Sequence, residues 1–400
     1  MRAFSLLVPA AWCAWLVACG SDSGASPGTP GGDASMQAPT DAGSDAAVAV
    51  AEGGLDATSG GDDAADAADA APFVGEVDAC TSACTGTCTS GRCLLTLASG
   101  QIIPQSLVVH GSDVYWANAG FVTNTGMALA NGAIMKVPVA GGTPTALVSG
   151  LVQSENIAVD GANVYWTEWR LDGGVNRVPV DGGPTATLAA GQSYPFGIGV
   201  LGGNVYFTDQ GSFAQGMTDG TVSRVPVDGG APVVLASGQL TAFDLAVDST
   251  GVYWANLVRD GGINAVPLGG AKPVELAAQD SPGNIALDST SVYWTDGNEE
   301  AVMKVAKAGG APVALASGHH EPTGIAVDST AVYWADYFTT VGDGGAIAGG
   351  AVFKVPLGGG PTVTLATGQP GPVHVAVDST SVYWTNATVD AGTVMKLTPK

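Results

Sequence analysis

The chain has 400 residues, and its 59 Gly and 23 Pro punctuate it too often for a coiled coil or a helical bundle. Its 46% hydrophobic content would suit a membrane protein, yet past residue 18 no stretch supplies the roughly 18 successive apolar residues of a spanning helix. A formal charge of −23 repels phosphate backbones and anionic surfaces, so nucleic acid is not an expected partner and a bilayer is reached only through an anchor.

Arg2 and the apolar run Ala3 to Ala18 predict a cleaved signal peptide over residues 1–18. Its end, Leu16-Val17-Ala18-Cys19, resembles the bacterial lipobox. That resemblance implies that Cys19 becomes the lipidated first residue of an exported protein held at the cell envelope. Gly20, rather than Asp, implies the outer membrane where the source has one. Residues 20–79 carry twelve acidic residues and no Lys or Arg, with almost no aromatic content, and so predict a disordered, self-repelling linker over 19–79. At about 5–6 Å times the square root of its length, such a tether reaches roughly 45 Å.

Cys80, Cys84, Cys88 and Cys93 follow, spaced C-x3-C-x3-C-x4-C. In an oxidising compartment they read as two disulfides with three possible connectivities, a staple over 80–93; the spacing matches no common zinc motif.

From residue 94 to 400 one motif recurs seven times. Its clearest copy is Gly324-Ile325-Ala326-Val327-Asp328 followed by Val332-Tyr333-Trp334-Ala335-Asp336. The tyrosines are Tyr115, Tyr165, Tyr206, Tyr253, Tyr293, Tyr333 and Tyr383, each eight residues after an apolar anchor such as Ile325. Two further short runs separated by a Gly-Gly turn complete each unit, as in Val302-Met303-Lys304-Val305 and Pro312-Val313-Ala314-Leu315-Ala316. Short β-branched and aromatic runs bounded by Gly, Asp, Ser or Pro predict four antiparallel strands per repeat, and the period predicts a seven-bladed, all-β propeller. The seventh repeat stops after its third strand, whereas Leu94 to Gln101 copies a fourth, Val233 to Gln239. The N-terminal strand is therefore expected to close the ring and leave no open edge.

These blades resemble the YWTD propellers of lipoprotein-receptor ectodomains and, more loosely, the NHL-type propellers. The resemblance implies that the strand ending in Asp328 is innermost and that the Tyr333-Trp334 strand lies second. The sequence departs from the family in having seven blades rather than six. It also varies the fourth motif position, as Asn118, Glu168, Asp209, Asn256, Asp296, Asp336 and Asn386.

The motif aromatics read as packing between blades, and the Asp residues at 160, 248, 288, 328 and 378 as turn formers. Nearly all length variation falls between the second and third strands. The face carrying those loops is therefore the expected binding surface, with Phe121, Trp169, Arg170, Phe213, Tyr337 and Phe338 as anchors for a protein, peptide or glycan. At the channel mouth the residue before each anchor forms a ring: Ser106, Asn156, Gly197, Asp244, Asn284, Gly324 and His374. Asn156, Asp244 and Asn284 resemble in ligand type the calcium site of lactonase-like propellers, which implies Ca²⁺ or Mg²⁺ and an alternative as a metal-dependent hydrolase or lyase. His374 is the candidate base. The pattern departs from the His and Glu pair of streptogramin lyases, because Asn386 ends the second strand of the blade bearing His374. The expectation is a monomeric, non-enzymatic, lipid-anchored binding module without a required cofactor; the remaining alternative is a structural module of the envelope.

Overall fold

The computed structural model describes residues 84–89, 91–120, 129–341 and 346–400. The signal segment, Cys19, the acidic linker, Cys80 and Phe121 lie outside the described residues.

Seven antiparallel sheets form the ring. Blade 6 runs outward from the axis as Pro322–Val327, Ala331–Val341, Ala346–Pro356 and Val363–Gln369. The innermost strands touch their neighbours in succession, and Pro372–Val377 of blade 7 meets Pro104–His110 of blade 1. Arg92–Gln101 supplies the outer strand of blade 7 by pairing with Gly392–Thr398, in the register Leu94 to Leu397 and Thr96 to Met395. The closure expected from Leu94 to Gln101 is therefore present.

The cysteine segment does more than staple. Thr87–Thr89 pairs with Arg92–Gln101 as a fifth strand and covers the outer edge of the last blade. Cys84 is joined to Cys93, which leaves one of the three connectivities, and Cys88 is also disulfide-bonded.

Within each second strand, alternation sends Tyr to one side of the sheet and Trp, or Phe207, to the other. The seven core clusters lie between blades: Tyr115 packs with Trp166, Tyr165 with Phe207, Tyr206 with Trp254, and Tyr253 with Trp294. Tyr293 packs with Trp334, Tyr333 with Trp384, and Tyr383 with Trp116 across the closure. Each aromatic buries about 150–250 Å², or roughly 4–6 kcal/mol of transfer free energy, so these pairs hold the ring together.

The tyrosine hydroxyl has its own task. In blade 6, Asp328 accepts the Thr330 and Ala331 backbone N–H groups at 2.7 and 2.9 Å on one oxygen and the Tyr333 hydroxyl at 3.0 Å on the other. The same arrangement recurs at Asp160, Asp288 and Asp378. Burial alone would raise these carboxyls, but hydrogen bonds from the turn and the Tyr hold Asp160, Asp288 and Asp378 below the usual range, and at Asp328 the Lys400 ammonium, 2.6 Å from Oδ2, together with the turn does the same.

One expected loop is instead regular structure. In blade 6 the segment between the second and third strands extends the hairpin, pairing Phe338 with Gly349 and Val341 with Ala346. The β-branched run Thr339-Thr340-Val341 opposite Ile347 favours strand, and Gly349 and Gly350 fit the close approach: a Cβ on Gly350 would lie 2.4 Å from the Asp336 carbonyl oxygen.

Candidate functional site

The connections entering each innermost strand share a device absent from the sequence reading. The residue before the strand is left-handed in all seven blades: Ile103, Gln153, Tyr194, Thr241, Ser281, Glu321 and Gly371, with φ between 47° and 69°. Six of these are not glycine, which stores local strain around the loop-bearing face. The carbonyls of Gln153, Tyr194, Thr241 and Glu321 then accept the N–H of Trp169, Gln210, Leu257 and Tyr337, tying each connection to the end of the second strand.

At blades 2 and 3 this device assembles an aromatic corner. Trp169 and Tyr194 stand 5.2 Å apart between ring centroids, and Tyr194 meets Phe213 edge-on at 4.8 Å. Trp169 donates its indole N–H to Gln210 at 2.9 Å, and Arg170 bonds Glu168 at 2.9 Å. Phe213 heads a short 3-10 turn, Phe213–Gln215, fixed by the Ser212 N–H on Asp219 Oδ1 at 2.7 Å, and keeps 43% of its surface exposed. Of the expected anchors, Trp169, Arg170 and Phe213 thus come together, with Tyr194 as the member missed in the sequence. Tyr194 lies off the repeated motif, and only its place just before a first strand signals it. Tyr337 and Phe338 touch at 4.6 Å at the base of the blade 6 hairpin, away from this corner. The Tyr337 ring lies over Gly371, where a Cβ would come within 3.0 Å, so it covers the entrance to blade 7.

The ring at the channel mouth is largely occupied by contacts between blades. Asp244 Oδ1 accepts its neighbour Leu245 N–H at 2.9 Å, while Oδ2 accepts Ile285 N–H at 3.1 Å and the Asn284 amide N–H at 3.4 Å. Ser106 Oγ accepts Ile157 N–H and His374 Nδ1 accepts Leu107 N–H, both at 3.4 Å. At Gly197 and Gly324 a Cβ would collide with the neighbouring strand, 2.6 Å from Leu245 N and 2.4 Å from His374 Cα. Asn284 therefore turns its N–H group, not its oxygen, toward Asp244, and no cluster of three His, Cys, Asp or Glu able to hold a metal exists among the described residues. Asp244 and Asn284 are thus bonded to each other, which engages two of the three residues expected to ligate a divalent cation. Burial pushes Asp244 up to about 6 against its hydrogen bonds, and lowers His374 to about 4, leaving it uncharged at neutral pH.

Glu155, one position further toward the face, went unremarked in the sequence. It is 9% exposed, has no hydrogen bond or ion pair among the described residues, and is pushed up to about 8 by burial. It lies with Asn156 in the bulge between Ser154 and Ile157, where the alternation of faces is interrupted. At the same strand position the next two blades carry Phe196 and Phe243, stacked at 4.3 Å.

A second missed feature is a latch beneath the motif Trp. Gln101, Gln239 and Gln369 each accept the indole N–H of the next blade's Trp at 2.9–3.1 Å and the amide N–H of its Asn at 3.0–3.4 Å. In blade 6 the Asn is Asp336, which can only accept, and a donor replaces the Gln: His319 Nδ1 meets Asp336 Oδ2 at 2.8 Å, with the Trp334 N–H on Oδ1 at 3.0 Å. His319, in the connection after Val313–Ser317, is buried edge-on to Trp334 and Phe353.

No protein-family model and no curated protein matches the chain. Among solved structures, the WD40 β-propeller domain of Doa1 is similar over 76% of this chain and 96% of its own, at 11% identity and a TM-score of 0.56. The computationally designed Ika8 protein is similar over 76% and 98%, at 14% identity and 0.52. A chain of the nidogen/laminin complex is similar over 55% and 90%, at 20% identity and 0.43. These likenesses are of fold.

Proposed function

We propose that this protein is an exported, lipid-anchored binding module whose propeller presents its loop-bearing face, centred on blades 2 and 3, to a protein, peptide or glycan partner. The aromatic corner of Trp169, Tyr194 and Phe213 carries the reading. Rigid aromatics held at a loop face by backbone hydrogen bonds supply large contact area at little entropic cost, and interface hot spots are enriched in Trp and Tyr. Of the channel-mouth residues that a hydrolase would need, Asp244, Asn284 and His374 Nδ1 bond a neighbouring blade instead. The anchor rests on Leu16-Val17-Ala18-Cys19, and the acidic run to residue 79 would let the domain stand off the membrane.

The test is a screen of immobilised peptides and glycans against the full chain, followed by W169A and F213A. Each substitution is expected to weaken capture by tenfold or more with unchanged thermal unfolding. Capture unaffected by both would refute the assignment of the face. Cys19→Ser is expected to move the protein from the membrane to the soluble fraction, and wild-type protein found wholly soluble would refute the anchor.

A further inference from the structure

Most acids deep in this fold have protein donors. Asp336 has His319 and Trp334, Asp244 has three N–H groups, Asp296 has the Asn298 and Glu299 N–H groups, and Asp209 has the Thr221 hydroxyl. Glu155 has none among the described residues, although only 9% of it is exposed. Asp209 Oδ1, Asp296 Oδ2 and Glu321 Oε2 also lack a donor but are fully enclosed, whereas the Glu155 oxygens are not, so a donor from outside the chain can meet them.

The surroundings define the chemistry of that partner. At the two positions before the anchor in each blade, the sequence reads Gln105-Ser106, Glu155-Asn156, Phe196-Gly197, Phe243-Asp244, Gly283-Asn284, Thr323-Gly324 and Val373-His374. The acids there are Glu155 and Asp244, no Lys or Arg is present, and the one His is uncharged at neutral pH. Asn156, also buried, makes no side-chain hydrogen bond among the described residues and supplies a further acceptor. Phe196 and Phe243 offer an apolar wall next round the ring. Residues 94–400 carry 24 acidic against 11 basic residues, a balance that favours cationic ligands. No group of three His, Cys, Asp or Glu converges among the described residues, and one carboxylate with an amide acceptor matches the charge and donors of a single organic cation.

We propose that the loop-side mouth of the channel receives one organic cation, the ammonium or guanidinium group of a basic side chain on the partner, with Glu155 as its counter-ion and Asn156 as a second acceptor. This deepens the loop-face reading and rests on it for the partner, but the cation site is measurable by itself. Because burial holds the Glu155 proton to about pH 8, the arriving cation displaces it, and binding near neutral pH releases one proton to solvent.

The experiment follows the carboxyl carbon of Glu155 in the full chain labelled with ¹³C-glutamate, assigned by E155Q, from pH 5 to 10 with and without butylammonium. Calorimetry with tetralysine and its fully acetylated counterpart, in two buffers of different ionisation enthalpy, counts the protons. Butylammonium is expected to lower the Glu155 midpoint by at least one pH unit. Tetralysine should release close to one proton, the acetylated peptide should not bind, and E155Q should bind tetralysine at least tenfold more weakly. A midpoint unmoved by saturating butylammonium, equal affinity of E155Q, or a shift produced by Ca²⁺ and not by amines overturns the proposal. W169A and F213A should leave the butylammonium response intact. Loss of partner capture in those variants with a silent Glu155 would sustain the loop face and refute the cation site, while the reverse pattern would refute the face alone.

Discussion

The blade 6 latch offers a sharp test of how the blades are joined, because the protein contains the same joint in two chemistries. Asp336 is 2% exposed, with one oxygen on the Trp334 indole and the other on His319. His319→Leu removes a donor and leaves a buried carboxylate half satisfied, a change that costs about 3 kcal/mol or more, to which the lost ring contacts with Trp334 and Phe353 add. The double variant H319Q/D336N rebuilds the Gln–Asn joint of blades 1, 4 and 7, where Gln accepts from both Trp and Asn. It is expected to lie within about 1 kcal/mol of wild type, since no buried charge or orphan donor remains. Urea unfolding followed by tryptophan fluorescence measures all three proteins. The reasoning fails if H319L is as stable as wild type, or if the double variant is no more stable than H319L.

Glu155 sets a pH dependence with a definite sign. The unfolded carboxyl loses its proton near 4.5 and the folded one near 8, so across that window the native state holds the extra proton and stability falls as pH rises. E155Q lacks this loss, and its advantage over wild type should grow by about 4 kcal/mol between pH 5 and 8 at 1.4 kcal/mol per unit; a constant difference would refute the burial argument. His374 works at the other end: its folded value near 4 lies below the unfolded 6.5, so it weakens the protein as pH falls through that interval, and H374Q should flatten the acid limb of the stability profile. Gly324→Ala would place a Cβ 2.4 Å from His374 Cα and should cost about 2 kcal/mol or more, against almost nothing for Gly358→Ala, which meets no atom within 4 Å. Equal melting temperatures for the two would contradict the close packing of blades 6 and 7.

What was legible in the sequence is what repeats. The Tyr-Trp strand, the Asp turn and the fixed spacings each occur often enough to identify themselves, and the stray fourth strand at Leu94 to Gln101 is recognisable because six others resemble it. The Gln latch also leaves a trace, since Gln101, Gln239 and Gln369 each precede their Trp by fifteen residues. A polar residue after Ser-Gly or Thr-Gly looks like an ordinary turn, however, until the next blade is packed against it. Tyr194 was hidden by its conformation, because a bulky residue with φ of 54° is not expected where Gly371 serves the same turn in blade 7. Glu155 was hidden by the bulge: alternation assigns faces along a regular strand, and the register shift between Ser154 and Ile157 suspends that rule where it would have mattered.

The departures from the repeat are unevenly distributed, and this bears on function. A ring that only had to be stable would gain from repeating the same joint seven times, as the Tyr–aromatic contact between blades does. Blade 2 breaks the pattern. Leu151 takes the place of the latch glutamine and leaves the Trp166 indole N–H without a partner, Ser154 replaces the usual proline or alanine, and Glu155 lies buried beside Asn156. Blade 3 adds Phe207 for Trp, Tyr194 in a strained turn and Phe213 on an exposed one. Each of these changes gives up a hydrogen bond, a relaxed backbone or a buried apolar surface, and all fall on one sector of the loop-bearing face or directly beneath it. Unpartnered buried atoms occur in other blades too, as at Trp294 Nε1 and Asp296 Oδ2, and left-handed non-glycine turns enter six blades, but in blades 2 and 3 these losses lie beside the Trp169–Tyr194–Phe213 corner, where a partner can contribute the missing contacts.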